Sequence, residues 1–278
     1  MVTHARPFEI DWSTFPESDG EPMAETTAHA VQMVDLQWAL QTLFALQGRD
    51  ARTAVGGNQL MYYNERDGHE HVSPDVYVIF DREPPPPPSW KTWVEGKFPD
   101  VVFEITSPST QAQDLSVAPK GKRRLYAELE VGEYYIYDPL QETAPWFMGF
   151  ELRDGLMEPL QARPDGGIYS PLLRAELRPV AMTETTRRPA GLWLRVIDPR
   201  TGEPIPIAEE EHGDLQIVRG RLTETQGRLT ETREEVTALR GELTTTREEL
   251  TATREDVAAL REQLSALERR QDPGTPPT

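Results

Sequence analysis

The chain has 278 residues, of which 47 are acidic and 29 basic, giving a net charge of −18. That length allows one sizeable domain plus an appendage. The acidity argues against a protein that grips nucleic acid by bulk charge, because phosphate contacts need clustered Lys and Arg. The lack of cysteine excludes disulfides, thiolate metal sites and cysteine nucleophiles.

Two regimes lie behind these averages. Residues 1–208 hold every Trp, Tyr and Phe and carry 31 acids against 19 bases, a net of −12. Residues 209–278 carry 16 against 10, a net of −6. The N-terminus has no basic segment leading into an apolar run, so no signal peptide is read. No apolar stretch approaches the roughly 20 residues that span a bilayer. The expectation is a soluble, cytoplasmic protein without membrane contact.

Residues 1–24 are rich in Pro, Asp, Glu and Ser and read as irregular. A domain is then expected over residues 25–207. Its first element is a helix from Ala28 to Leu46, in which Val31, Val34, Leu36, Trp38, Leu40, Leu43, Phe44 and Leu46 fall at three-four spacing. Three strand-like runs follow, Gln59–Tyr63, Asp75–Phe80 and Asp100–Thr106, each short, β-branched or aromatic, and bounded by turn formers. Pro84 to Pro88 cannot join a sheet ladder and read as a stiff surface connection, with a ligand for a Pro-binding module as the minor alternative. A helix over Pro119–Glu130 follows, then a strand over Glu133–Asp138 and a hairpin over Glu151–Leu160. A last hairpin is expected over residues 191–207 around the turn Pro199–Gly202. The order of helix, three strands, helix and strand is an α/β layered pattern.

The tail carries the strongest pattern. Leu222, Leu229, Val236, Leu243, Leu250, Val257 and Leu264 recur every seven residues. Three places after each stand Thr225, Thr232, Leu239, Thr246, Thr253, Leu260 and Leu267. These are the a and d positions of a coiled coil over residues 208–271, with 272–278 as a tail. Seven heptads make a rod on the order of 70 Å. Glu235, Glu242, Glu249 and Asp256 at g stand five places before Arg240, Arg247, Arg254 and Arg261 at e. That relation favours a parallel homodimer. A solvated single helix and a trimer are the alternatives, and Gly227 and Gly241 lower helix propensity.

Chemistry is sought among acids in apolar strands. Glu104 sits in the second half of the run Val101–Ile105, and a buried carboxylate is costly unless paired or bound to metal. Asp75 opens a strand that could neighbour it, and two such acids can converge on a hard cation such as Mg²⁺. Asp100 competes with Asp75, but four strand residues separate it from Glu104 by roughly 13 Å, too far to chelate one ion. Lys120-Gly-Lys-Arg-Arg124 is a local basic patch in an acidic domain. A Lys there could stabilise charge on phosphate or orient water, against the plain alternative of a solvated helix start. Lys122 and Tyr126 share one helix face, which makes Tyr126 an accessory candidate. Glu25 and His29 are likewise four apart and could complete a metal shell, although His29 reads more simply as a core or surface histidine. No phosphate-binding glycine loop and no zinc spacing appears.

The series Ser73-Pro74-Asp75-Val76, Pro99 to Thr110 with Glu104, then Asp114, then Lys122 through Tyr126 to Asp138-Pro139 resembles the Uma-type restriction endonuclease family. The resemblance covers roughly residues 15–207 and leaves out the coiled coil. It implies a PD-(D/E)xK nuclease-like fold: a mixed β-sheet core of about four strands flanked by helices. It further implies Mg²⁺- (or Mn²⁺-) dependent hydrolysis of DNA phosphodiesters, with Asp75 as first acid and Glu104 as second. The Lys usual two places after the Glu is absent, since Thr106 stands there. The resemblance implies that Lys122 replaces it from the following helix. Strand alternation puts Thr106 on the face of Glu104, so a Lys from that helix could fill the vacated space. The Ile105 carbonyl would be a further metal ligand. Two other readings stand beside this one. One is an inactive nuclease-like scaffold whose coiled coil mediates oligomerisation or partner binding. The other is a metal-dependent phosphodiesterase acting on RNA or nucleotides.

Overall fold

The computed structural model describes residues 10–17 and 26–271. It divides into a globular unit up to Glu211 and a second unit from His212. Glu25, residues 1–9 and 18–24, and the tail from 272 lie outside the described residues.

The first helix, α1 (Thr27–Leu46), is capped by Thr26, whose side chain accepts from the His29 amide. It buries Val31, Leu36, Leu40, Leu43 and Phe44, as the spacing predicts. Val34, Trp38 and Leu46 face outward instead, because one flank of a helix cannot hold an apolar set that wraps right round it.

Twelve strands follow among the described residues. They are β1 (Thr53–Gly56), β2 (Met61–Tyr62), β3 (His71–Val72), β4 (Val76–Phe80), β5 (Trp90–Lys91), β6 (Val101–Ile105), β7 (Glu133–Tyr137), β8 (Phe147–Arg153), β9 (Leu156–Pro159), β10 (Ile168–Ser170), β11 (Ala175–Met182) and β12 (Gly191–Ile197). Between them lie α2 (Thr92–Glu95), α3 (Gln111–Asp114) and α4 (Lys122–Glu128), and α5 (Ala208–Gln271) closes the described chain. The main sheet has the order β1-β4-β6-β7-β8-β9. Within it β6 and β7 are parallel and every other pair is antiparallel. The parallel pair needs a crossover, and α3 and α4 supply it. This is the expected mixed sheet flanked by helices.

Alternation along the central strands builds two cores. Val101, Phe103 and Ile105 of β6, with Val76 and Val78 of β4, face α1 and the sheet β10-β11-β12. Val102, with Tyr77 and Ile79, faces α4 and its Tyr126. Glu104 and Thr106, in step with Val102, are thereby directed to the α4 side. Each large apolar side chain buried here stabilises the fold by about 1.5–3 kcal/mol.

Three expectations are corrected. The segment read as irregular contains a short 3₁₀ turn, Trp12–Thr14, and Phe15 packs edge-on against Tyr62 and Trp93 at 5.2 Å between ring centroids. The final hairpin does turn at Pro199–Gly202, where Ile197 bridges Pro204 and the Ile205 amide donates to the Val196 carbonyl at 2.8 Å, but its return forms no strand, and β12 pairs along its whole length with β11 instead. The sequence pattern predicts no strand at β1, β3, β5, β10 or β11. The prolines from Pro84 to Pro88 lie outside every strand, as expected.

Candidate active site

The site begins with the register of two strands. In the antiparallel pair β4–β6, Val76 stands opposite Phe103. One step further, the same register sets Asp75 opposite Glu104. Two acids some thirty residues apart thus become cross-strand neighbours at one end of the sheet. Asp100 is accounted for separately: its Oδ2 accepts from the Phe80 amide at 2.7 Å and from Lys97 Nζ at 2.6 Å, which fastens a strand end.

Lys122 enters from the first residue of α4. The turn before it is tight, since a Cβ on Gly121 would lie 2.3 Å from the Ser116 carbonyl oxygen. Glycine is therefore needed to bring the helix start this close. Lys122 Nζ lies 2.9 Å from Glu104 Oε2 and 3.2 Å from Asp114 Oδ1. One turn later the Tyr126 hydroxyl donates to Glu104 Oε1. The basic patch read from the sequence is dispersed. Only Lys122 turns to the acids, Arg123 donates to the Met157 carbonyl at 2.7 Å and lies 4.4 Å over the Phe150 ring, and Arg124 pairs with Glu128.

Asp75 bridges to the other side of the sheet. His29 of α1 places Nε2 2.9 Å from Asp75 Oδ1, an ion-pair distance without hydrogen-bond alignment. Asp75 Oδ2 accepts from the Ile105 amide at 2.7 Å. Ile105 thus reaches the cluster through its N–H.

Asp114 carries a part that sequence reasoning left unassigned. It is 1% exposed, its Oδ2 accepts from Thr106 Oγ1 at 2.7 Å, and its main-chain carbonyl accepts from the Tyr134 hydroxyl at 3.2 Å. Thr106, standing where a Lys was missed, anchors this third acid. The available signal was a lone acid in a Ser, Thr and Gln stretch, eight places before Lys122.

Burial and charge oppose each other here. Glu104 is 2% exposed. Burial pushes its carboxyl above the usual range, Lys122 pulls it back, and Asp75 and Asp114 push it further up. For Lys122, burial disfavours the charge, but Glu104 and Asp114 outweigh it and hold the ammonium protonated. The Lys122 side chain keeps 25% of its exposure and those of Asp75 and His29 keep 13%, so the cluster opens to solvent along these three. A cleft of about 570 Å³ lies between α4 and β9, lined by Arg123, Leu156 and Met157, and none of the site acids borders it.

The donor set suits Mg²⁺ in chemistry. Among the described residues no three His, Asp or Glu side chains form a ready-made cage. Mg²⁺ does not need one, because it binds through one or two carboxylates and keeps several waters. Asp75 and Glu104 supply two hard carboxylates whose mutual repulsion a divalent cation would relieve.

No helix among the described residues is long and apolar enough to cross a membrane. No curated protein matches the chain. The family model described as "Uma2: Putative restriction endonuclease" matches residues 14–181, which contain all the residues of the cluster and end within β11. With three-fifths of its length so matched, the chain belongs to the Uma2 family.

Proposed function

We propose that the globular unit is a Mg²⁺- (or Mn²⁺-) dependent endonuclease that hydrolyses DNA phosphodiester bonds in a reducing cytoplasm. The observation that carries this reading is the meeting of Asp75, Glu104 and Lys122, from two neighbouring strands and a crossover helix, within one partly open polar cluster. Family membership supports nuclease chemistry.

In this reading Asp75 and Glu104 would hold the cation, and the Ile105 carbonyl would offer a further oxygen. When bound, such a cation lowers the pKa of attacking water and offsets charge on the scissile phosphate. Lys122 aims its ammonium at the same place, where it orients water or takes up charge developing on phosphate. Asp114, anchored by the Thr106 hydroxyl, steadies the Lys122 ammonium. Tyr126 fixes the Glu104 carboxylate through Oε1, and His29 steadies Asp75. Residues 1–208 carry a net charge of −12, which argues against a broad basic surface as the means of holding substrate.

The test is cleavage of plasmid, linear duplex and single-stranded DNA, and of RNA, with Mg²⁺ or Mn²⁺. Wild type cuts DNA and Glu104→Ala does not. Failure of the wild type to cut any of these with either metal sinks the reading. Cleavage of RNA alone transfers the site to the alternative phosphodiesterase.

A further inference from the structure

The second unit carries an exposed apolar stripe along its helix. Along α5, Leu222, Leu229, Leu243, Leu250 and Leu264 at a keep between 49% and 62% of their exposure, and Val236 and Val257 keep 41%. Leu239, Leu260 and Leu267 at d are 54–63% exposed. Ten aliphatic side chains in one line on a long helix amount to a large apolar surface left in water.

The threonines at d look at first like a flaw in this seam. Each of the four hydroxyls is already used. Thr225 donates to the Arg221 carbonyl at 2.8 Å, Thr232 to Arg228 at 2.9 Å, Thr246 to Glu242 at 2.9 Å and Thr253 to Glu249 at 2.8 Å. A hydroxyl satisfied within its own helix can be buried without leaving a donor unpaired. What remains for a partner is the methyl group, so these positions act as small apolar residues.

We propose that α5 pairs through residues 222–267 with a second copy of the chain, as a parallel, in-register, two-stranded coiled coil. Charge selects the occupant and its direction. In a parallel pair the g acids Glu235, Glu242, Glu249 and Asp256 meet Arg240, Arg247, Arg254 and Arg261 of the other copy. In an antiparallel pair g meets g and e meets e, which sets acid against acid and arginine against arginine. Shifting the register by a heptad removes an apolar layer and a set of charge contacts. Charged e and g positions confine the apolar seam to a and d, the narrow stripe of a two-stranded coil. The pairing does not depend on the nuclease reading.

Sedimentation of the full chain tests it. Wild type has twice the monomer mass. The charge-reversed E235R/E242R/E249R/D256R is monomeric at concentrations where wild type is paired, and so is R240E/R247E/R254E/R261E. Mixed in equal amounts, the two restore the double mass. A monomeric or trimeric wild type, or a g-reversed variant that still pairs with itself, overturns the proposal. Direction is read independently. The chain has no cysteine, so Thr225→Cys introduces a single thiol. In a parallel, in-register pair the two thiols face each other and oxidation links the chains. No link on oxidation overturns the parallel register.

Discussion

The two units break the ordinary rule of burial in opposite directions. The globular unit hides charge: Glu104 and Asp114 are at most 2% exposed. The C-terminal helix exposes aliphatic side chains that would normally be inside. Each inversion calls for a partner, and the chemistry of the hidden or exposed groups indicates which kind. Crowded carboxylates call for a cation, and a heptad stripe flanked by matching charges calls for another helix. Not every buried acid belongs to the first class. Asp35 is paired with Arg188 at 3.1 Å, and Glu133 accepts from the Leu172 amide and the Tyr135 hydroxyl at 2.9 Å. Those acids are satisfied by the fold itself.

The sharpest way to break the comparison is to remove an acid from the cluster. Glu104→Ala abolishes metal-dependent cleavage, read on plasmid substrate, while the far-ultraviolet circular dichroism stays that of the wild type. Lys122→Ala comes next. It removes the ammonium but leaves both acids, so turnover falls on the order of 10²–10³-fold, as when one charge-stabilising donor is lost. Metal affinity measured by calorimetry is kept or improved, because a competing cation has gone. Asp114→Asn acts through Lys122, and cleavage drops about 10–100-fold, the usual scale for a supporting partner of a metal site. Its mark is an altered pH profile with little change in metal affinity.

The smallest effect separates a structural acid from the site. Burial pushes the Asp35 carboxyl up to about 6 against the pull of Arg188. Its folded pKa is therefore above its unfolded value, so its stabilising contribution is complete below the ordinary carboxylate range. That contribution is lost as pH rises through about 6. Between about pH 4 and pH 7, wild type loses about 1–2 kcal/mol relative to Asp35→Asn, after allowance for its partial solvent contact. Chemical denaturation at a series of pH values reads this, and parallel curves for the two proteins contradict it.

The strands bearing the acids were legible because Val76–Phe80 and Val101–Ile105 are dense β-branched and aromatic runs with turn formers at their ends. Period-two alternation then gave Glu104 and Thr106 a common face. Strand β11 was hidden by its own Pro179, which argues against a strand interior. The register explains the exception. Strand β10 reaches only from Ala175 to Leu177 along β11, so Pro179 lies past its end, where a missing N–H costs no ladder bond. Strand β1 was hidden by brevity and a terminal glycine. Asp114 was visible but without a role, since its place behind Lys122 depends on the path of the crossover. His29 reached Asp75 through the packing of α1 on the sheet, which no local pattern encodes.

Titration of the metal-free full chain with Mg²⁺ or Mn²⁺, followed by calorimetry for wild type and Asp75→Asn, tests the central claim most directly. The account predicts saturable binding to wild type that is lost, or weakened by at least about tenfold, in Asp75→Asn. Equal binding by the two proteins, or none by wild type, would contradict it.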